Sequence, residues 1–393
     1  MSTTASLAPP TPAFTQRETF AAVGLGTVAL LMAGVQPVLL GELVAQQRIS
    51  LEGVGLVAMG EIVALGVGVL LGNALFPLHR VRTIALLAAV ATGAIDLAMS
   101  RLTGDLGFTV ARAAAGLCEG MLVWVTTCLI VRSPAPDRLA GIFFVVQTVA
   151  QAALAGVLAF IVMPRGGWQA GFGLLAALTW AACLFTQWLR PALVPLVDAG
   201  RTQEGRWTFA AGLALFVAFA QMSAIGALWA YLDPISRLAG LDAQESQTLV
   251  ALVLAVQVAG GAVAAVIVPR TAPVRALLGV LGALSLVFLS VASGVLTPVP
   301  FALACGAFGF AWMFSMPFHV RLAFHADASG RIAAFVPSAQ LLGVAFGPLL
   351  ASLFVTGDEA GPVPLISAGF AVAAAFALCI RTRGQPMTRG ESQ

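Results

Sequence analysis

Residues 108–124 read FTVARAAAGLCEGMLVW, an apolar run that carries two charged side chains, Arg112 and Glu119. The two are seven residues apart, about two turns of an α-helix, so they project from the same helical face. Each would cost roughly 2.5–3.5 kcal/mol at the centre of a lipid bilayer. We therefore expect this face to meet partners, water or a substrate inside a membrane-embedded bundle.

The composition around this stretch is that of a polytopic membrane protein. The chain has 393 residues, of which 60% are hydrophobic and 9% charged, and its mean hydropathy is +0.97. A soluble domain carries about 25% charged residues. The apolar runs are too long for barrel strands and show no strand alternation, so we predict an all-α fold. The predicted spans are residues 19–44, 51–76, 82–100, 107–131, 138–163, 168–189, 207–233, 246–268, 274–296, 300–323, 331–355 and 361–381.

The arginines predict the orientation of these spans. All twenty basic residues are arginine; with the N-terminus inside, fifteen fall on the inner side, four on the outer side and one within a span. Positive charge collects on the cytoplasmic side of membrane proteins. We therefore expect a multi-pass protein of the bacterial cell inner membrane with both termini in the cytoplasm.

The chain repeats itself at an offset of 193 residues, because scarce residue types recur at equivalent places of its two halves. The informative pairs are Arg82 with Arg275, Arg138 with Arg331, Gln147 with Gln340 and Gly116 with Gly309. Two six-helix halves in parallel arrangement are typical of transporters, whose site lies at the interface between the halves.

The domain boundaries follow from this repeat. Residues 190–206, RPALVPLVDAGRTQEGR, combine prolines, glycines and charges, and predict a cytoplasmic linker. The linker separates an N-terminal six-helix bundle, 19–189, from a C-terminal bundle, 207–381. Short cytoplasmic tails, 1–18 and 382–393, complete the chain. We therefore predict two pseudo-symmetric bundles with twelve transmembrane helices in total.

Four ionisable side chains in the N-terminal half break the repeat, because their counterparts are apolar residues or cysteine. The aligned pairs are Glu61 with Leu254, Asp96 with Leu289, Arg112 with Cys305 and Glu119 with Trp312. Since one half is built without these charges, the scaffold does not require them. We interpret the four as functional.

Three segments resemble the major facilitator superfamily. VARAAAGLCEG in span 4 resembles the family's Arg-x-x-x-Gly signature, GVAFGPLLAS in span 11 resembles its Gly-x-x-x-Gly-Pro element, and GNALFPLHRVR resembles the loop after span 2. The positions that we assign to packing or gating on this basis are Gly72, Arg80, Gly116, Gly343, Gly347 and Pro348. The resemblance covers nearly the whole chain and implies the family's twelve-helix fold and secondary active transport of a small organic solute.

We expect Glu61, Asp96, Arg112 and Glu119 to form a proton-coupling network. Arg112 would stabilise an anionic partner, which is Asp96, Glu119 or a carboxylate of the substrate. Glu61 and Glu119, if close together, cannot both ionise cheaply, so one of them would exchange a proton with the gradient. The alternative is that Arg112 forms a fixed buried pair that only orders the N-terminal half.

A second group of polar and aromatic side chains is predicted to line the substrate cavity. Trp229 and Trp312 would offer aromatic faces to an organic solute, which would be anionic or amphipathic. The alternative for each tryptophan is packing or a place in an interfacial belt. By analogy with the family, spans 1, 4, 7 and 10 line the cavity. The full set is Gln36, Gln147, Gln221, Trp229, Tyr231, Gln257, Trp312 and Gln340.

Other classes of protein have little support in the sequence. There is no HExxH, GxSxG or paired Cys/His signature, so we do not expect an enzyme, a metal site or a cofactor. The expected partners are a small-molecule substrate, protons and the lipid bilayer, without nucleic acid, and we expect a monomer. A drug or metabolite efflux pump and a membrane receptor that does not transport are the alternatives to proton-coupled transport.

Overall fold

The computed structural model describes residues 14–193, 207–327, 331–356 and 359–384, and most of them lie in α-helices. The N-terminal half contains α1–α7 and the C-terminal half α8–α14. The helices are α1 Gln16–Ala29, α2 Leu31–Ala45, α3 Leu51–Leu75, α4 Val81–Met99, α5 Asp105–Ile130, α6 Pro136–Val157, α7 Met163–Thr186, α8 Phe209–Ala230, α9 Leu232–Leu238, α10 Ala243–Ile267, α11 Pro273–Ala292, α12 Pro298–Ala326, α13 Arg331–Ser352 and α14 Pro362–Gly384.

The described helices provide the twelve predicted crossings. Eleven helical stretches are long and apolar enough to span a membrane, and one of them, Arg138–Thr186, is 49 residues long. That stretch joins α6 to α7 through a π-helical turn, Leu158–Val162, but its backbone turns at Gly167, where φ is +61° and ψ is −161°. Glycine tolerates a positive φ without steric cost. The long stretch therefore makes two crossings, as the sequence predicts.

The first crossing differs from its prediction as one helix over 19–44. It begins earlier, at Gln16, because Thr15 and Glu18 form a capping box. It is also interrupted at Leu30, where φ is −106° and ψ is 4°, so that α1 and α2 are separate helices. At this interruption, the amide of Gln151 on α6 donates to the Leu30 carbonyl at 2.6 Å.

The two halves repeat one helix contact that depends on glycine. A Cβ on Gly116 of α5 would overlap the backbone carbonyl of Glu61 on α3. At the equivalent place of the C-terminal half, a Cβ on Gly309 of α12 would lie 2.7 Å from the carbonyl oxygen of Val253 on α10. Small residues let membrane helices approach this closely. The sequence repeat is therefore also a repeat of packing.

The molecule has two ends with different packing between the halves. We call the end where α1 begins the terminal end, and the end where α2 meets α3 the distal end. One hydrophobic core cluster joins both halves and includes Val35, Phe108, Leu228 and Phe301. Nearer the terminal end, residues such as Leu25 and Leu129 form a core of the N-terminal half alone, and Ala211, Ala323 and Val336 belong to a core of the C-terminal half alone. The halves thus share a core toward the distal end and have separate cores at the terminal end.

The linker and tail predictions fall largely on parts of the chain that the structure does not describe. Residues 1–13, 194–206 and 385–393 lie outside the described residues. In the described part of the linker, Arg190 forms an ion pair with Glu18, and the N–H of Leu193 donates to the carbonyl of Leu78 at 2.9 Å. These contacts fix the start of the linker to the N-terminal half.

Candidate functional site

Arg112 binds three carboxylates at once. Its Nε donates to Glu61 Oε2 at 3.0 Å, its Nη1 to Asp96 Oδ1 at 2.6 Å and its Nη2 to Glu119 Oε1 at 2.9 Å. Arg112 is fully buried, and each acid is at most 3% exposed. We call these four residues the Arg112 cluster. The acids come from three helices, α3, α4 and α5, so the cluster lies where these helices meet.

Glycines bring the cluster together. Besides Gly116, a Cβ on Gly120 of α5 would overlap the Leu65 carbonyl of α3, and a Cβ on Gly68 of α3 would overlap the Leu117 carbonyl of α5. The close approach of α3 and α5 places Glu61 beside the turn of α5 that carries Arg112. Glycine spacing along these two helices therefore determines the position of the ion pair.

The Arg112 cluster has an excess of acidic groups. Three carboxyl groups face one guanidinium, so the site would carry a net charge of −2 if all of them were ionised. Oε1 of Glu61 and Oε2 of Glu119 are buried and have no hydrogen-bond partner among the residues that the structure describes. A buried charge without compensation is costly. Two carboxyl oxygens are thus placed where a proton can be added without breaking a bond to Arg112.

The structure brings all four predicted charges into one site. Sequence reasoning left three partners open for Arg112, namely Asp96, Glu119 or a substrate carboxylate; the structure pairs it with Asp96, Glu119 and Glu61. Gln36, which was predicted to line the cavity, donates from Nε2 to Glu61 Oε2 at 3.3 Å. It is therefore a neighbour of the cluster.

A second polar group lies in the C-terminal half and is centred on His319. Its Nε2 is 3.1 Å from Gln221 Oε1, and its Nδ1 is 3.0 Å from Gln340 Nε2. His319 and Gln221 are fully buried. We call these three residues the His319 cluster. Gln221 and Gln340 are among the predicted cavity residues; His319, the one histidine within a predicted span, is not.

Two of the predicted cavity residues make contacts between the halves. Trp229 Nε1 donates to the carbonyl of Ala33 on α2 at 3.1 Å. The hydroxyl of Tyr231 accepts from the N–H of Gly55 on α3 at 3.1 Å. Both side chains are buried, and Trp229 also meets the half-buried Trp312 edge to face, with ring centroids 5.4 Å apart. They hold the halves together toward the distal end.

Three of the predicted glutamines have an amide atom without a hydrogen-bond partner in the described part of the chain. These buried atoms are Oε1 of Gln147, Nε2 of Gln221 and Nε2 of Gln257. Buried polar groups in proteins are nearly always hydrogen-bonded, so each such atom calls for a ligand or water. They come from α6, α8 and α10, helices of both halves.

The packing and gating residues lie in different surroundings. A Cβ on Gly343 or Gly347 of α13 would overlap a backbone carbonyl of α8, and Pro348 presents its own carbonyl to Gly55 of α3. Gly72 packs against the ring of Trp124. Arg80 is exposed, in a 3₁₀ turn, Leu78–Arg80, at the terminal end.

No protein-family model and no curated protein sequence matches the chain. Solved structures do match its fold. A variant of the nucleoside transporter NupG superposes with a TM-score of 0.72 at 14% identity, over 92% of this chain and 99% of that one. A bacterial homologue of the human lysosomal transporter Spinster, inward-facing and unoccupied, gives 0.66 at 14% identity, over 94% and 98%. The POT family transporter PepTSo gives 0.70 at 12% identity, over 95% and 98%. The chain is thus a multi-pass membrane protein that shares the fold of these solved transporter structures.

Proposed function

We propose that the protein is a secondary transporter that couples the movement of a small organic solute to protons. The observation that carries this proposal is the set of three buried carboxyl groups on one guanidinium. Burying an ion costs several kcal/mol even after the protein relaxes around it. Each unpaired charge in the Arg112 cluster would carry a cost of about this size. The cluster is neutral with two protons bound and gains negative charge as they leave, so it is a natural place for a transported proton.

The free carboxyl oxygens support a role for Glu61 and Glu119 in carrying this proton. Each of these acids keeps one oxygen on Arg112 and has the other unpartnered. A proton on the unpartnered oxygen changes the charge of the cluster while the bond to Arg112 persists. Asp96 supports the opposite side of the guanidinium, through Nη1.

The contacts of Arg112 favour an uncharged solute over an anionic one. All three guanidinium nitrogens are already engaged by carboxylates of the chain, so Arg112 is poorly placed to bind a substrate carboxylate. We propose that the solute meets the unpartnered amide atoms of Gln147, Gln221 and Gln257 and the ring of Trp312. These groups suit a polar molecule with hydrogen-bond donors and acceptors and an apolar or aromatic body.

The setting that we propose is the bacterial inner membrane. The excess of arginine at the terminal end supports a cytoplasmic location for both termini. The structural neighbours are transporters, among them a nucleoside transporter, which makes nucleosides the first solutes to test. We propose a monomer as the transporting unit.

The test is proton movement in proteoliposomes that contain a pH-sensitive dye. A panel of nucleosides and other uncharged organic solutes is added outside, and a transported solute is expected to shift the internal pH. Glu119→Gln and Glu61→Gln should each abolish that shift, because an amide has no proton to exchange, while exchange of labelled solute across the membrane continues.

Glu42→Gln is the matched control, since Glu42 lies on α2 outside the Arg112 cluster and contacts Gln46. It should retain the pH shift. Proton coupling is wrong if Glu61→Gln and Glu119→Gln also retain it, and transport itself is wrong if no solute of the panel crosses the membrane.

A further inference from the structure

One turn of α2, residues 33–37, is bonded to the opposite half of the molecule. Pro37 has no backbone N–H, so the carbonyl of Ala33 lacks the donor that a helix supplies four residues later. The indole N–H of Trp229, on α8, donates to this carbonyl at 3.1 Å. The proline leaves the Ala33 carbonyl without a helical donor, and a side chain of the C-terminal half supplies the donor.

The same turn is bonded to the Arg112 cluster through Gln36. The amide Nε2 of Gln36 donates to Glu61 Oε2, the oxygen that also receives Arg112 Nε. Gln36 is 1% exposed, so water does not compete for this bond. A continuous set of contacts thus runs from the charges of the N-terminal half to Trp229 in the C-terminal half.

The 33–37 turn follows one interruption of the helix and ends at another. The backbone leaves helical geometry at Leu30, and Pro37, about two turns further on, removes a hydrogen bond. The amide of Gln151 fixes the carbonyl of Leu30 to α6. A change at Gln36 can therefore reorient this turn while α1 stays in place.

We propose that Gln36 is a positioning residue that transmits the charge of the Arg112 cluster to the contact between the halves. The inference rests on the proton coupling proposed above. When Glu61 is ionised, its bond to Gln36 is charge-assisted and roughly twice as strong as a neutral hydrogen bond. The turn then presents Ala33 to Trp229. When a proton neutralises Glu61, the bond weakens, the Trp229 contact loosens and the halves separate at the distal end.

Glu61 lies among other titratable and charged groups. Asp96 on α4 and Glu119 on α5 reach the same guanidinium, and Arg112 opposes all three acids. The thiol of Cys118 on α5 lies within electrostatic range of Glu119. Proton uptake is therefore a property of the Arg112 cluster as a unit. Whichever acid binds the proton, the cluster loses negative charge, and this loss favours distal opening.

The test measures distal opening by the labelling rate of a single cysteine. The five native cysteines are replaced, and Ser352→Cys is introduced on α13, where the side chain of Ser352 packs against Gly55 of α3. Maleimide labelling of the purified protein is followed against pH. Each rate is divided by the rate of Gln244→Cys, an exposed distal position, to remove the intrinsic pH dependence of the thiol. The corrected rate is expected to rise as the pH falls.

Three variants disturb the proposed contacts without removing a charge. Trp229→Phe keeps the ring and loses the N–H, and should raise the corrected rate about fivefold at high pH, the effect of one net hydrogen bond. Gln36→Leu should flatten the pH profile. Pro37→Ala gives the Ala33 carbonyl its own helical donor, and should act as Trp229→Phe does without adding to it.

The matched control is Trp180→Phe, which also removes an indole hydrogen bond to a backbone carbonyl, that of Val90 at 3.3 Å, but within the N-terminal half. It should leave the profile unchanged. The inference is wrong if Trp229→Phe and Pro37→Ala behave like Trp180→Phe, or if Gln36→Leu keeps the wild-type profile. Proton-driven transport with a flat labelling profile would overturn this inference alone, whereas a steep profile without proton movement in proteoliposomes would overturn the proposed coupling.

Discussion

Arg112→Leu is expected to lower the stability of the protein by about 3–5 kcal/mol, the cost of removing one partner from a buried ion pair. The substitution leaves Glu61, Asp96 and Glu119 together without a cation, in a site where each is at most 3% exposed. The measurement is the Tm of the purified variant in detergent. Arg165→Leu is the control, because Arg165 is exposed and its Nη1 donates to the Ile161 carbonyl of its own helical stretch.

A separate test asks whether this loss of stability comes from the unpaired charges. The variant with Arg112→Leu, Glu61→Gln, Asp96→Asn and Glu119→Gln has no charge at the site, and should recover much of the lost Tm. The deficit of Arg112→Leu alone should also shrink as the pH falls, because protonated acids no longer repel one another. If Arg112→Leu were as stable as Arg165→Leu, the Arg112 cluster would be solvated, contrary to the structure.

Gly116→Ala and Gly347→Ala are expected to have the second largest effect, about 1–3 kcal/mol each, the usual cost of overpacking. A Cβ on Gly116 would overlap the Glu61 carbonyl, and one on Gly347 would overlap the Ser223 carbonyl. Backbone atoms cannot rotate away, so α3 and α5, or α8 and α13, must move apart. Gly116→Ala should in addition lengthen the bond between Arg112 and Glu61.

The control is Gly107→Ala, on the same helix as Gly116, where a Cβ would meet nothing within 4 Å. Alanine favours helix over glycine by about 0.8–1.0 kcal/mol, so this variant should be as stable as the wild type or more so. The measurement is the Tm of Gly116→Ala, Gly347→Ala and Gly107→Ala in the same detergent. Equal values for Gly116→Ala and Gly107→Ala would contradict the close approach of α3 and α5.

The twelve crossings could be predicted because lipid imposes a length and a polarity on each span. The repeat located Gly116 and Gly309, whose contacts are equivalent in the two halves. Rise per residue estimates the depth of a side chain but not the rotation of its helix about its axis. Sequence reasoning therefore placed Arg112 and Glu119 on one face, yet could not show that Arg112 reaches acids on two further helices.

Other features depend on contacts distant in sequence. Nothing at Leu30 in the sequence indicates a break, and the side chain that bonds its carbonyl is the amide of Gln151, more than one hundred residues away. Trp229 was assigned to the cavity as an aromatic surface. Its indole N–H also bonds the Ala33 carbonyl that Pro37 leaves without a helical donor, a contact that joins the two halves and that the sequence does not indicate.

The single tyrosine of this chain makes distal opening measurable by absorbance. Tyr231 is the only phenol among 393 residues, and it is fully buried with its hydroxyl against Gly55 of the other half. A reagent that nitrates phenols therefore has one target, and that target is shielded while the halves touch. The absorbance of nitrotyrosine would report the fraction of molecules that have opened, in the native sequence and without an engineered label.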